Sequence, residues 1–254
     1  MKKLTFLSVF MFVFFIYNAT GFAFTPNKPE YQLLLSWVAG YANNKAMNNS
    51  AENEAQEFGE EFATTFGGGG YSINSSKANL PAGFDVDFRL FSDNIGIGLQ
   101  IGYHTAKAES KVSSPTPDRD KATITYELSV VPVVATLYYW IELASSNSFL
   151  LLGGGLGYYS GKMNYNGKWD DMYGPFYSLS HDNFRQTKIG CHILIEYDYV
   201  FDIGFTIFAG IKARYVQFDE FKKDNYYIGE YPADKNLKAG LTGVALYIGG
   251  GYSF

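Results

Sequence analysis

The sequence predicts an all-β chain folded as an eight-stranded antiparallel up-and-down transmembrane β-barrel, and three observations carry that expectation. Long stretches alternate apolar with polar or small residues, the connections between them alternate between long and short, and no apolar run beyond the N-terminus approaches the length of a spanning helix. Successive side chains of a strand point to opposite faces, so alternation makes a sheet with one greasy and one polar face. In lipid such a sheet must close on itself, because an open edge would leave backbone groups unpaired. Composition agrees: aromatic residues make up 18% of the 254, and the mean hydropathy is near zero.

Residues 1–23 read as a secretory signal peptide. Lys2 and Lys3 are followed by a mainly apolar run of 14 residues, Leu4 to Tyr17, and by Gly21-Phe22-Ala23 as a small-residue cleavage site with Ala23 the last leader residue. That run is shorter than the roughly 20 residues a spanning helix needs. The barrel is then expected over 24–254, with strands at about 31–42, 82–91, 95–106, 123–141, 149–163, 186–200, 203–218 and 238–254.

In the first strand Tyr31, Leu33, Leu35, Trp37, Ala39 and Tyr41 alternate with Gln32, Ser36 and Gly40; residues 66–73 compete for the role. Phe84, Val86, Phe88 and Leu90 oppose Asp85, Asp87 and Arg89, and after the turn Ser92-Asp93-Asn94, Ile95, Ile97, Leu99, Ile101 and Tyr103 oppose Gln100, His104 and three glycines. In 123–141 the outward set is read as Ile124, Tyr126, Leu128, Val130, Pro132, Val134, Thr136, Tyr138 and Trp140, with Glu127 and Ser129 inward. Pro132 lacks a ladder donor and suggests a bulge. Leu150, Leu152, Leu156 and Tyr158 are placed outward in the fifth strand. The sixth strand is the clearest: Thr187, Ile189, Cys191, Ile193, Ile195, Tyr197 and Tyr199 share a face opposite Lys188, His192, Glu196 and Asp198. A Phe201-Asp202 turn leads to Ile203, Phe205, Ile207, Ala209, Ile211, Ala213 and Tyr215, opposite Lys212 and Arg214. The last strand sets Val244, Leu246, Ile248, Gly250, Tyr252 and Phe254 on one face.

Long connections are expected at 43–81, 107–122, 164–185 and 219–237, and short ones at 92–94, 142–148 and 201–202. Within the first, Ser50 to Phe66 has helical spacing, and Gly67 to Gly70 reads as a flexible loop or bulge because the Lys-Ser/Thr of a phosphate loop is missing. Tyr226, Tyr227, Tyr231 and the segment Trp169 to Tyr177 fall in expected outer loops, where they serve an interface belt or a binding surface.

This pattern resembles the small outer-membrane barrels of the OmpA, OmpX and OmpW kind over the whole chain after the leader. Leu246 to Phe254, with apolar or aromatic residues at alternate positions and Tyr252 and Phe254 at its close, looks like the signal read by the barrel assembly machinery. Pro132 to Tyr139 followed by Leu152 to Tyr158 is similar to the paired central strands of that superfamily. The resemblance implies outer-membrane lipid as the surroundings and, on its OmpW side, a narrow channel for small or apolar molecules. Fold alone does not deliver function.

Asp85, Asp87, Arg89, Gln100, His104, Glu127, Lys188, His192, Glu196, Asp198, Lys212 and Arg214 are expected to point into the lumen as an ion-pair network. An eight-stranded interior is only wide enough for side chains to fill, and buried charge is costly unless paired, so the network would plug the pore. None of the three His sits in a recognisable catalytic motif or at metal-ligand spacing, and His181-Asp182 falls in an outer loop. No catalytic residue, cofactor or metal is therefore expected. A net charge of −5 opposes a nucleic-acid partner, and Cys191, alone, allows no internal disulfide or lipid anchor. The expectation is a monomeric, non-enzymatic barrel presenting outer loops to a host or envelope ligand, with the channel as alternative and a lipid-modifying enzyme behind both.

Overall fold

The computed structural model describes residues 30–65, 70–114, 121–143, 147–171, 174–219, 221–223, 226–227 and 238–254. Eight long strands among them form the barrel: β1 Tyr31–Ala42, β2 Ala82–Ser92, β3 Ile95–Ser113, β4 Lys121–Glu142, β5 Ser148–Asp171, β6 Gly174–Val200, β7 Phe205–Tyr215 and β8 Gly243–Ser253. Each pairs antiparallel with its sequence neighbours, and β8 closes the ring on β1, with Leu33 opposite Tyr252 and Tyr41 opposite Val244. The strand at 31–42, not 66–73, therefore sits between β2 and β8; Ser72–Ser76 is a short addition on the far end of β3.

The short turns and the seam gather at one end. Phe254 N donates to Tyr31 O at 2.8 Å, Phe91 N to Glu30 O at 2.8 Å, and Ser253 N to Gly204 O at 2.7 Å. Asp93 (φ 53°) and Gly204 (φ 78°) hold the left-handed conformations that these turns require.

Apolar side chains ring the outside of this end. Aromatic girdles mark both limits: Tyr31, Tyr139, Tyr197 and Phe205 near the turns, and Tyr41, Tyr103, Tyr158 and Tyr215 farther out, with Ile97, Leu99, Leu137, Ile193, Ile195, Ile207 and Ile248 between. Phe205 and Tyr215 are ten positions apart on β7; at ~3.4 Å per residue and a tilt of ~40° that spans roughly 26 Å, the height of an outer-membrane apolar band. Ile189 is 80% exposed and Trp37 69%. Side chains so apolar and so open are stable in hydrocarbon, not in water.

Beyond the upper girdle the strands continue. Residues 107–113, 121–122 and 164–171 with 174–185, expected as parts of loops, are paired strands. Here the polarity of the two faces inverts, as it must where a wall faces water: Lys107, Glu109, Lys111 and Thr123 face out, while Ala106, Ala108, Val112, Ile124 and Leu128 are buried inside.

That inversion corrects the reading of 123–141. Ile124, Tyr126, Leu128, Val130, Val134, Thr136, Tyr138 and Trp140 are all buried inside the barrel, and Val131, Val133, Leu137 and Tyr139 face out. Glu127, expected in the lumen, lies on the outer face, opposite Lys107 of β3 and Asn164 of β5. Nor does Pro132 make a bulge. The β3–β4 ladder lapses between Ile101↔Val133 and His104↔Val130 without a change of register, and Pro132 stays paired with Tyr159 across β5.

Helix α1, Lys45–Thr65, covers the apolar outer chamber, beginning five residues before the sequence suggested. Met47, Ala51 and Ala55 recur every fourth position and are completely buried against β3 and β4, while Glu52, Glu57, Glu60 and Glu61 stay in solvent. Alanines on the inner stripe let the helix lie close. Its start is tied down by Asn44, whose Nδ2 donates to Ala78 O and whose Oδ1 accepts from Gly240 N, both at 2.8 Å. Residues 1–23 and 67–69 lie outside the described residues.

Candidate functional site: the barrel interior and its outer rim

Strand alternation turns every second residue of β2, β3, β6 and β7 inward, and the register stacks these residues in layers. At the turn end Phe91, Tyr138, Trp140, Phe149, Leu151, Leu194 and Val200 form an aromatic-rich floor. Trp140 meets Phe91 and Phe149 edge to face, both with ring centroids 4.5 Å apart.

Above the floor lies the first charged layer. Arg89 engages both carboxylate oxygens of Glu196, with Nη2 3.0 Å from Oε2, and its Nε reaches Asp87 Oδ2 at 2.8 Å. Tyr138 donates to the same Asp87 oxygen at 2.7 Å while its ring lies 4.6 Å beneath the guanidinium. Gln32 bridges Asp198 at 3.5 Å and Ser253 at 3.2 Å, and Ser253 exchanges a 2.5 Å bond with Thr206. Side chains from β1, β2, β4, β6, β7 and β8 are thus cross-linked at one height.

The second layer centres on Asp85. Its Oδ1 meets His104 Nε2 at 2.8 Å; its Oδ2 lies 3.0 Å from Arg214 Nη2 and 3.4 Å from Lys212 Nζ. Lys212 also donates to Gln100 Oε1 at 2.9 Å and lies over the Tyr247 ring at 5.1 Å. His192 pairs with Thr136 Oγ1 at 3.2 Å. Gly102, directly opposite Asp85 in the β2–β3 ladder, leaves the room the carboxylate occupies.

The structure thus brings Asp85, Asp87, Arg89, His104, Glu196, Asp198, Lys212 and Arg214 into two contiguous clusters, with His192 bonded beside the second. Two named residues fall outside them. Glu127 is on the outer face, and Lys188, on the inward phase, lies at the partly exposed outer mouth, 2.8 Å from Asp219. Tyr138, Thr136, Gln32, Thr206 and Ser253 escaped the sequence reading. The first two lie on the face of β4 that the alternation rule assigns outward, and the others are small or neutral residues that charge counting overlooks. The chemistry of these layers is ion pairing and packing. Among the described residues no group of three metal-ligating side chains occurs, and no serine is bonded to a histidine. Ser180 adjoins His181 in the sequence, but their side chains, like those of Trp169, Tyr177, Tyr226, Tyr227 and Tyr231, lie outside the described residues.

The third layer is apolar: Tyr126, Leu128, Val130, Tyr159, Met163, Phe184 and Phe218 lie beneath α1. Tyr126 bonds Glu54 of the helix through its hydroxyl. A small crevice at the outer end of β1 is lined by residues of both faces, Val38, His104, Arg214 and Leu241 from inside and Tyr41 and Val244 from the lipid side.

Neither a family model nor a curated protein matches this sequence. Solved structures do. The outer-membrane protein OprG of Pseudomonas aeruginosa is similar at a TM-score of 0.50 and 10% identity, over 90% of this chain and 97% of that one. Neisserial surface protein A is similar at 0.43 and 12% identity, over 89% and 97%. The attachment invasion locus protein Ail of Yersinia pestis, in complex with the heparin analogue sucrose octasulfate, is similar at 0.37 and 13%, over 89% and 99%. At such identities the likeness is one of fold, and the fold is that of the small outer-membrane β-barrels.

Proposed function

We propose that this chain, folded as a small outer-membrane β-barrel, is a monomeric and non-enzymatic protein of a bacterial outer membrane whose work is done at its outer end. Residues 1–23 would be its cleaved leader, and Tyr252 and Phe254 would close the strand that the assembly machinery recognises. The supporting observation is the filled interior: an aromatic floor, two layers of paired charges and an apolar chamber roofed by α1 follow one another along the axis. In this reading the inner ion pairs lock the cylinder, and β3–β6 project beyond the lipid as a stalk for host, matrix or envelope contacts.

Two measurements test it. In planar bilayers the protein is expected to give no reproducible steps; steps altered by Arg214→Ala would defeat the plugged barrel. Replacing residues 115–120 and 228–237 with short Gly-Ser links is expected to abolish binding of expressing cells to host or matrix surfaces while the barrel still folds. Undiminished binding would defeat the outer-end role.

A narrow conduit for small apolar molecules is the second reading, favoured by the two-faced crevice beside β1. Uptake of an apolar dye that depends on the protein but not on the outer turns would select it.

A further inference from the structure

Along two adjacent strands the outward residues change character in a fixed order. Leu156 of β5 faces Cys191 of β6, Tyr158 faces Ile189, Ser160 faces Thr187, and Lys162 faces Arg185. Greasy rungs therefore give way to a hydroxyl rung and then to a rung of two cations. The row continues on one side, where Ser129 of β4 lies beside Lys162.

Like charges placed directly across a ladder repel one another. Among the described residues neither Lys162 nor Arg185 has an ion-pair partner, whereas Lys107 and Lys111 nearby share Glu109 at 2.5 and 2.8 Å. In an acidic chain, net −5, this rung of two cations thus stands without an acidic partner among the described residues. The height is also telling. Lys162 is four residues above Tyr158, about 10 Å along the membrane normal at a ~40° tilt. The headgroup layer is roughly 5–8 Å deep on each side, and long basic side chains bend back toward it.

We propose that Lys162 and Arg185, with the hydroxyls of Ser160 and Thr187 beneath them, bind the phosphate of an anionic glycolipid of the outer leaflet, whose acyl chains run down over Tyr158, Ile189 and Leu156. The sequence of rungs matches such a molecule from phosphate through sugar and ester to hydrocarbon, and a negative group between the two cations converts repulsion into two charge-assisted bonds. The site rests on the membrane placement proposed above.

The test is native mass spectrometry of delipidated protein after addition of bisphosphorylated lipid A, of the same glycolipid without its phosphates, of inorganic phosphate, or of a heparin hexasaccharide. The protein is expected to retain the phosphorylated form about tenfold or more over the dephosphorylated one. The double variant Lys162→Gln/Arg185→Gln is expected to lose that preference, and Lys45→Gln on α1 to keep it. Equal retention of both glycolipids, or full retention by the double variant, overturns the proposal. So does displacement of the lipid by millimolar inorganic phosphate, or capture of the hexasaccharide through Lys162 and Arg185 without retention of lipid A. Variants are scored only when they keep the heat-modifiable mobility of a folded barrel in lipid, which separates failure of this site from failure of the membrane placement.

Discussion

Arg89 and Glu196, 107 residues apart in sequence, meet as a two-pronged ion pair inside the barrel and tie β2 to β6 across the lumen. The pair is fully surrounded by protein, so the energetic weight lies in removing one partner and stranding the other. Glu196→Ala is expected to cost about 3–5 kcal/mol by this mechanism, read as a shift in the urea midpoint of barrel unfolding in vesicles. Arg89→Met/Glu196→Leu, which removes both charges, is expected to lose much less. Equal losses would show that the pair is not closed off from water.

The second charged layer depends on a close approach. A Cβ at Gly102 would fall on Asp85 Oδ1 and on the Phe84 carbonyl oxygen. Gly102→Val is therefore expected to push Asp85 away from His104, Lys212 and Arg214 and to destabilise the barrel by about 2–3 kcal/mol. Gly154, where a Cβ meets nothing nearer than 3.8 Å, serves as the control: Gly154→Ala is expected to be near neutral in the same assay.

The alternation that made strands legible also explains where the sequence misled. In β6 and β7 the lipid-level outward face is greasy and the inward face charged, so one pattern gave both strand and facing. In β4 the pattern carries no such contrast, because Val131, Val133 and Leu137 outside are matched by Val134, Tyr138 and Trp140 inside. Farther up β4 the contrast returns reversed, with Thr123, Thr125 and Glu127 outside and Ile124, Tyr126 and Leu128 inside. A rule of polar-in and apolar-out holds only while the outside is lipid. Under that rule alone Glu127 points inward and the strand extensions read as loops. Gln32, Thr206 and Ser253 were illegible for another reason: their bonds join β1, β6, β7 and β8, and no local spacing reports a contact 221 residues apart.

The roof over the outer chamber is held by small buried residues and by hydrogen bonds that include Tyr126 to Glu54 and, on Asn48, those from Ala78 N and to Asn79 Oδ1. Ala51→Arg, at a completely buried position of α1, is expected to lift the helix and raise its protease cleavage at 45–65 severalfold while the barrel keeps its folded gel mobility. Unchanged cleavage would contradict the packing described for Met47, Ala51 and Ala55.

The apolar belt is expected to penalise charge according to depth. Ile193→Lys, in the middle of the belt, should cost about 2–4 kcal/mol, and Thr123→Lys, beyond the upper girdle, close to nothing. Unfolding midpoints in vesicles check the pair, and similar costs at both positions would argue against a lipid boundary at Tyr103 and Tyr158.

Cys191, the sole cysteine, projects from the outer wall of β6, while its neighbour His192 points inward. A nitroxide attached to Cys191 in reconstituted vesicles reports directly on what surrounds the wall. Relaxation by dissolved oxygen should far exceed relaxation by a water-soluble nickel chelate at Cys191, and a label moved one position along the strand, in a Cys191→Ser/His192→Cys variant, should lose the strong oxygen response. A Cys191 label open to the chelate would mean that water, not hydrocarbon, bathes the barrel wall.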